Sequence, residues 1–378
     1  MRVLHVIVCL DVGGAEMMLR RLIESHKDNP EYEHIVVSLT DIGCLGQQMQ
    51  ELGTRVVSLR MRSGLEFCSV LFRLRNLIRK FSPNVVQTWM YHADLLGGLA
   101  ARLAGNKNIL WGIHSTDVRA GGSRMTTWVM RVCAKVSRWV PDTILCVAEV
   151  SRQVHIAAGY FEPRTLVLPN GIDTARLVSN DDRRRAIRNT CGFTDDHIVI
   201  GTLGRFNPAK DYGNFVSAAG IIAEKYLHVR FVMVGSHLNG DNATLREWID
   251  KTGFSERFVL LGQRSDAPDC LAAMDIFCLS SKSEALPTVV IEAMGMGVPC
   301  VATDVGDTRV LVQDIGIVVP REDSAALAAG LEKVIEMPAE ERHALACIGK
   351  ARVRENYTIE RARDRLEALY TEIVNRNR

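Results

Sequence analysis

No uninterrupted apolar run in this 378-residue chain reaches the roughly 18–20 residues that a membrane-spanning helix requires. Met1 and Arg2 lead straight into the strand-like VLHVIVCL, so no signal peptide is expected. The ten cysteines, at positions 9, 44, 68, 133, 146, 191, 270, 278, 300 and 347, include no C-x2-C pair. Scattered and mostly inside apolar runs, they read as reduced thiols of a cytosolic protein, not as a zinc site or a disulfide framework. G-x-G-x-x-G is missing, which excludes the usual dinucleotide fingerprint. An Asp-x-Asp pair near a strand end is missing too, so no divalent-metal site is expected. No repeat or low-complexity tract interrupts a composition of 47% hydrophobic and 24% charged residues, which is that of a folded globular protein.

What is present is alternation. Short β-branched runs at 3–10, 34–39, 55–59, 84–89, 108–113, 143–147 and 165–169 are separated by helical patterns near 15–26, 66–81, 92–104, 124–139 and 149–158. A second series of strands follows Asn170-Gly171, at 198–203, 229–235, 257–262, 276–280, 298–303 and 315–319, and everything beyond about 324 is helical in pattern. Strand–helix alternation implies parallel sheets covered on both faces. The chain length suits two such α/β domains. Their expected limits are 1–169 and 170–358, with the last helix, 359–378, assigned to the first.

Net charge is only +2, yet residues 52–140 hold 14 Lys and Arg against three acids. A basic N-terminal half fits an anionic partner. The segments 66–81 and 124–140 set cations opposite apolar residues at helical spacing; the alternatives are a solvated basic side or a membrane-surface patch with Trp128 or Trp139 as anchors. The patch extends over both segments, which favours membrane contact.

Chemistry concentrates in the run from Ser283 to Thr303, SEALPTVVIEAMGMGVPCVAT. Glu284 and Glu292 stand eight residues apart, a spacing that on a helix turns both acids to one side. Pro287 suits a first helical turn, and the amides of Thr288, Val289 and Val290 would leave the helix N-terminus open to phosphate. After the strand at 198–203, Arg205 and Lys210 place two cations at the edge where open α/β sheets bind ligands. His114 and Asp117 follow the strand at 108–113, although a lone histidine at a strand end is more often structural. Gly13 and Gly14, in DVGGAE, allow a tight turn and close backbone approach of a phosphate before a helix, with Gly14 favoured; a plain strand-to-helix turn fits these residues as well.

These runs, in this order, resemble the retaining glycosyltransferases of the GT-B architecture, family four (group 1). The matching elements are GGAE, H-x-x-D (with Ser115 where relatives commonly have Gly), G-R-x4-K-D and E-x7-E. The resemblance implies two Rossmann-like doubly wound domains facing a cleft, with a C-terminal helix crossing back. It implies transfer of a sugar from a nucleotide-diphosphate sugar, UDP-sugar favoured over GDP-sugar, with no further cofactor. The expected acceptor is a lipid-linked or cell-envelope polysaccharide, and nucleic acid is not an expected partner. By resemblance Arg205 and Lys210 hold the diphosphate, Glu284 the sugar and Glu292 the ribose. Gln263 lies where the nucleobase is met, and His114 and Asp117 serve the sugar and the acceptor side. The expected location is cytoplasmic, peripheral on the inner face of the membrane. A GT-B sugar-nucleotide epimerase and a non-catalytic glycan- or lipid-binding relative are the alternatives; the latter would be expected to have lost Glu284, Lys210 or His114.

Overall fold

The computed structural model describes residues 1–116, 123–178 and 180–377. Contacts divide the chain into two units, Met1–Ile172 with Ile359–Arg378, and Asp173–Thr358. Among the described residues no helix is long and apolar enough to cross a membrane.

The first unit carries a seven-stranded parallel sheet of β1 (Arg2–Ile7), β2 (Glu33–Ser38), β3 (Arg55–Ser58), β4 (Val85–Trp89), β5 (Ile109–Ile113), β6 (Thr143–Cys146) and β7 (Thr165–Val167), in the order β3-β2-β1-β4-β5-β6-β7. Its helices are α1 (Gly14–Ser25), α2 (Gly43–Glu51), α3 (Phe67–Phe81), α4 (Tyr91–Ala104), α5 (Arg124–Val136) and α6 (Glu149–Ala157). β4 and β5 are buried at every position, because a parallel sheet with helices on both faces leaves neither face to water. One core lies under α3, α4 and α5; the other lies under α1 and the C-terminal helix, Ile359–Arg376. That helix buries Ile359, Ala362, Leu366, Leu369, Tyr370, Ile373 and Val374, a stripe at helical spacing, and the Tyr370 hydroxyl donates to Gln87 on β4.

The second unit has six parallel strands, β8 (Ile198–Leu203), β9 (Val229–Val234), β10 (Phe258–Gly262), β11 (Ile276–Leu279), β12 (Cys300–Thr303) and β13 (Gly316–Val319), ordered β10-β9-β8-β11-β12-β13. Around it lie α7 (Asp181–Thr190), α8 (Tyr212–Lys225), α9 (Ala243–Asp250), α10 (Ala267–Ala272), α11 (Thr288–Met296), α12 (Thr308–Val312), α13 (Ser324–Glu336) and α14 (Ala339–Asn356). In each sheet the strand order reverses once, between β1 and β4 and between β8 and β11. Such switch points open a crevice at the carboxyl ends of the strands.

Two sequence expectations change here. The alternation missed α2, a nine-residue helix with two glycines and few apolar residues, in which Leu45, Gly46 and Met49 are buried. The thiols are less uniformly internal than expected, since Cys44, Cys68 and Cys347 are exposed.

Candidate functional site

In the second unit the switch point is occupied by an ion pair. Lys210 closes a short 3-10 turn after β8, and its Nζ lies 2.6 Å from Glu284 Oε1, in the loop after β11. Side-chain exposures of 25% and 14% separate this pair from an ordinary solvated surface bridge. The turn is set by Asn207, whose side chain accepts from the Ala209 amide. Asp211 then takes a left-handed conformation, φ 49°, to open α8. The two loops are stitched together: the Lys282 and Ser283 amides donate to the Ala209 carbonyl at 2.8 and 3.4 Å, and Lys282 Nζ reaches Asp211 at 3.6 Å and Glu322 at 3.2 Å. From the loop after β12, the Asp307 amide donates to the Ala285 carbonyl at 3.0 Å. Gly306, at φ 53°, packs so closely that a Cβ there would collide with the carbonyls of Glu284 and Ala285. Burial first, and then the Glu284 charge, push the Tyr212 phenol above its ordinary range. Arg205, on the same loop as Lys210, is exposed, as is Gln263 after β10.

The structure corrects the helical reading of the two acids. Only Glu292 lies on α11; Glu284 sits four residues before its first residue, in the loop, and is oriented by Lys210 and Ser281 rather than by helical spacing. Pro287 is the N-cap, extended at ψ 91°, not a residue of the first turn. The Val290 amide donates to the Pro287 carbonyl at 3.0 Å, which leaves Thr288 and Val289 as the helix's leading amides. Lys210 is likewise no isolated cation, because Glu284 neutralises it. Ser280, Ser281 and Gly306 were not identified from sequence; the only trace was small polar residues flanking the strand ends.

In the first unit, β4 ends on Trp89 and β5 leads to His114, whose imidazole lies against the Trp89 ring with centroids 5.1 Å apart and planes 23° from parallel. The His114 amide donates to the Met90 sulfur at 3.4 Å, and the Ser115 carbonyl accepts from the Ser151 hydroxyl of α6 at 2.7 Å. Burial pushes the His114 imidazole from 6.5 down to about 4, so it is neutral at physiological pH. Its Nδ1 is buried with no hydrogen-bond partner among the described residues. Asp117, the other member of that motif, lies outside the described residues. Gly13 caps α1 in an extended conformation, and a Cβ there would meet the Glu16 carboxylate folded back over the helix end. The end that the sequence offered to phosphate thus carries an acid of its own. Gly14 has open space on its Cβ side.

Comparison with known proteins agrees with this architecture. The family Glycosyltransferase Family 4 matches residues 12–176, and Glycosyl transferases group 1 matches residues 183–352. UDP-Gal:alpha-D-GlcNAc-diphosphoundecaprenol alpha-1,3-galactosyltransferase of Escherichia coli is 26% identical over 253 residues, 65% of this chain and 64% of that enzyme. The lipopolysaccharide core biosynthesis mannosyltransferase LpsB of Rhizobium meliloti (strain 1021) is 26% identical over 235 residues, 57% of this chain and 63% of that one. The chain thus spans a little under two thirds of the length of each of these curated relatives. Among solved structures, Anabaena HepE in complex with UDP superposes with a TM-score of 0.87 at 20% identity, covering 98% of this chain and 100% of that one. With both units matched and the doubly wound sheets in place, the chain belongs to the group 1 glycosyltransferases of the GT-B fold.

Proposed function

We propose that this protein is a retaining, metal-independent glycosyltransferase that moves a sugar from a nucleotide-diphosphate sugar, a UDP-sugar in preference to a GDP-sugar, to a lipid-linked or cell-envelope polysaccharide acceptor. The observation that carries the reading is the Lys210–Glu284 pair at the β8/β11 switch point. An ammonium has three protons to give. Lys210 can therefore turn toward a diphosphate, with Arg205 and the amides of Thr288 and Val289 around the same anion, while Glu284 accepts from sugar hydroxyls. Glu292 takes the ribose hydroxyls and Gln263 the base, and within the first unit Gly13 and Gly14 form the donor-binding turn before α1. His114, neutral, serves the donor sugar and Asp117 the acceptor. Charge that develops on the departing diphosphate is stabilised by fixed cations and amides, the work a metal would otherwise do. Attack on the same face of an oxocarbenium-like sugar, with the leaving phosphate as base, gives retention without a protein nucleophile.

Support for the donor comes from the Escherichia coli relative, named for UDP-Gal, and from the solved complexes of Anabaena HepE with UDP and UDP-glucose. Support for the acceptor comes from the same relative, named for a diphosphoundecaprenol substrate, and from the lipopolysaccharide enzyme. A membrane-surface location is supported by the basic helices α3 and α5. The experiment is to incubate the protein with UDP-sugars and a polyprenyl-diphosphate sugar in EDTA and to follow UDP release and product configuration by NMR. Acceptor-dependent release with an α-linked product from an α-configured donor is expected. A β-linked product, or activity that returns only with Mn²⁺ or Mg²⁺, would contradict the mechanism; UDP release without acceptor would favour an epimerase.

A further inference from the structure

The two halves of the ion pair are each tied to one of two consecutive serines. Ser280 and Ser281 follow β11 and are buried, with exposures of 2% and 0%. The Ser280 hydroxyl donates to the Lys210 carbonyl at 2.9 Å. The Ser281 hydroxyl donates to Glu284 Oε1 at 2.7 Å, the same oxygen that accepts from Lys210 Nζ at 2.6 Å. Ser281 is itself fixed from β12, since the buried Thr303 hydroxyl donates to its carbonyl at 2.7 Å.

We propose that Ser280 and Ser281 are positioning residues for the donor: Ser281 holds the Glu284 carboxylate in place for the sugar while Lys210 is passed to the diphosphate, and Ser280 holds the Lys210 main chain so that its ammonium reaches that diphosphate. The inference rests on the donor reading above. Its physical basis is the cost of stripping a largely buried carboxylate of its cation. A hydroxyl that already donates to the shared oxygen keeps that oxygen satisfied when the ammonium turns away. It also fixes the side-chain rotamer, so the carboxylate does not swing after Lys210. Neither serine needs to touch the donor, which separates their effect from that of Glu284 itself.

The two roles leave different traces. Losing the Ser281 hydroxyl should weaken only what binds through the sugar; losing the Ser280 hydroxyl should weaken everything that binds through the diphosphate. The test is calorimetric titration of the full chain with UDP, UDP-glucose, GDP and GDP-mannose, carrying forward the pair that wild type binds. Ser281→Ala should weaken the nucleotide sugar about tenfold, the scale of one hydrogen bond to a charged group, and leave the free nucleotide within about twofold. Ser280→Ala should weaken nucleotide and nucleotide sugar by the same factor. Glu284→Gln should reproduce the Ser281→Ala pattern. Thermal melts establish that each variant is folded; if Ser281→Ala is not, Ser281→Cys, a weaker donor of similar shape, should give a smaller shift of the same pattern. If Glu284→Gln discriminates between the two ligands and Ser281→Ala does not, the positioning role is overturned and the donor reading stands. If Glu284→Gln does not discriminate, or wild type binds none of the four probes, the donor reading is overturned with it.

Discussion

His114 shows how a single residue's environment decides its chemistry. Stacked on Trp89 and partly buried, its imidazole falls to about 4 and is kept neutral. Two histidines in the core behave alike: burial takes His34 to about 3, and burial together with the His34 charge takes His5 well below 6.5. Unfolded, all three would titrate near 6.5. Between the folded and unfolded values the unfolded chain binds more protons, so the stability these residues contribute is complete above pH 6.5 and is lost as pH falls below it. Each can cost up to about 1.4 kcal/mol per pH unit. Asp94 opposes them, because burial raises it to about 7 and its contribution is lost as pH rises toward that value. Burial lowers His92, His155 and His197 as well and raises Asp211. The lowered histidines outnumber the raised acids, so the melting temperature should fall by several degrees from pH 7 to pH 5, and a flat or rising midpoint over that range would count against these assignments. Sequence alone located Lys210 on a loop after a strand, since it follows a β-branched run, but oriented Glu284 by helical spacing with Glu292. It did not show that they touch, because the contact joins residues 74 positions apart. The hydroxyls that hold them were invisible for a related reason: a pair of serines after a strand carries no periodicity.

Among the elements, the sheets were the most legible, because a parallel strand buried on both faces must be apolar almost throughout, and β8 ends where the run IVIGTL ends. Helix α2 was not legible; its few apolar residues and two glycines give a weak pattern, and it is held by packing, with Gly46 fitted against Leu10 and Ile42. The start of α11 was misread because Pro287 fits either an N-cap or a first turn, and only the observed ψ of 91° distinguishes them. The loop after β12 carries an element-scale prediction. Gly306 is left-handed and packed against the carbonyls of Glu284 and Ala285, so Gly306→Ala must displace the Glu284 loop. Turnover should drop about tenfold or more, with a stability loss of roughly 1–3 kcal/mol from the strained backbone. Kinetics and thermal melts of the variant check this; normal turnover would mean that the loop's position does not matter.

For the molecule as a whole, the charge bias of residues 52–140 now has a surface. Along α5, Arg124, Met125, Trp128, Arg131 and Lys135 are exposed at helical spacing, followed by Arg138 and Trp139; α5 packs on α4, and α4 on α3. On α3, Arg73, itself exposed, and Arg75 donate to the carbonyls of Leu59 and Leu103, and Arg79 and Lys80 are exposed in the last turn. Exposed cations with Trp128 and Trp139 suit an anionic membrane, at about 1 kcal/mol per well-placed Lys or Arg. Wild type should co-sediment with phosphatidylglycerol vesicles at low salt, and a variant with Arg79, Lys80, Arg131 and Lys135 changed to Glu should not; equal pelleting of the two would leave an ordinary solvated face.

The central claim, that the second unit's switch point holds the donor diphosphate through Arg205 and Lys210, is tested most directly by steady-state transfer from the UDP-sugar that wild type uses. Replacing either cation with Ala should slow turnover by roughly one to three orders of magnitude while the fold is retained, the scale of losing one preorganised electrostatic contact. Near-wild-type turnover by both folded variants would contradict it.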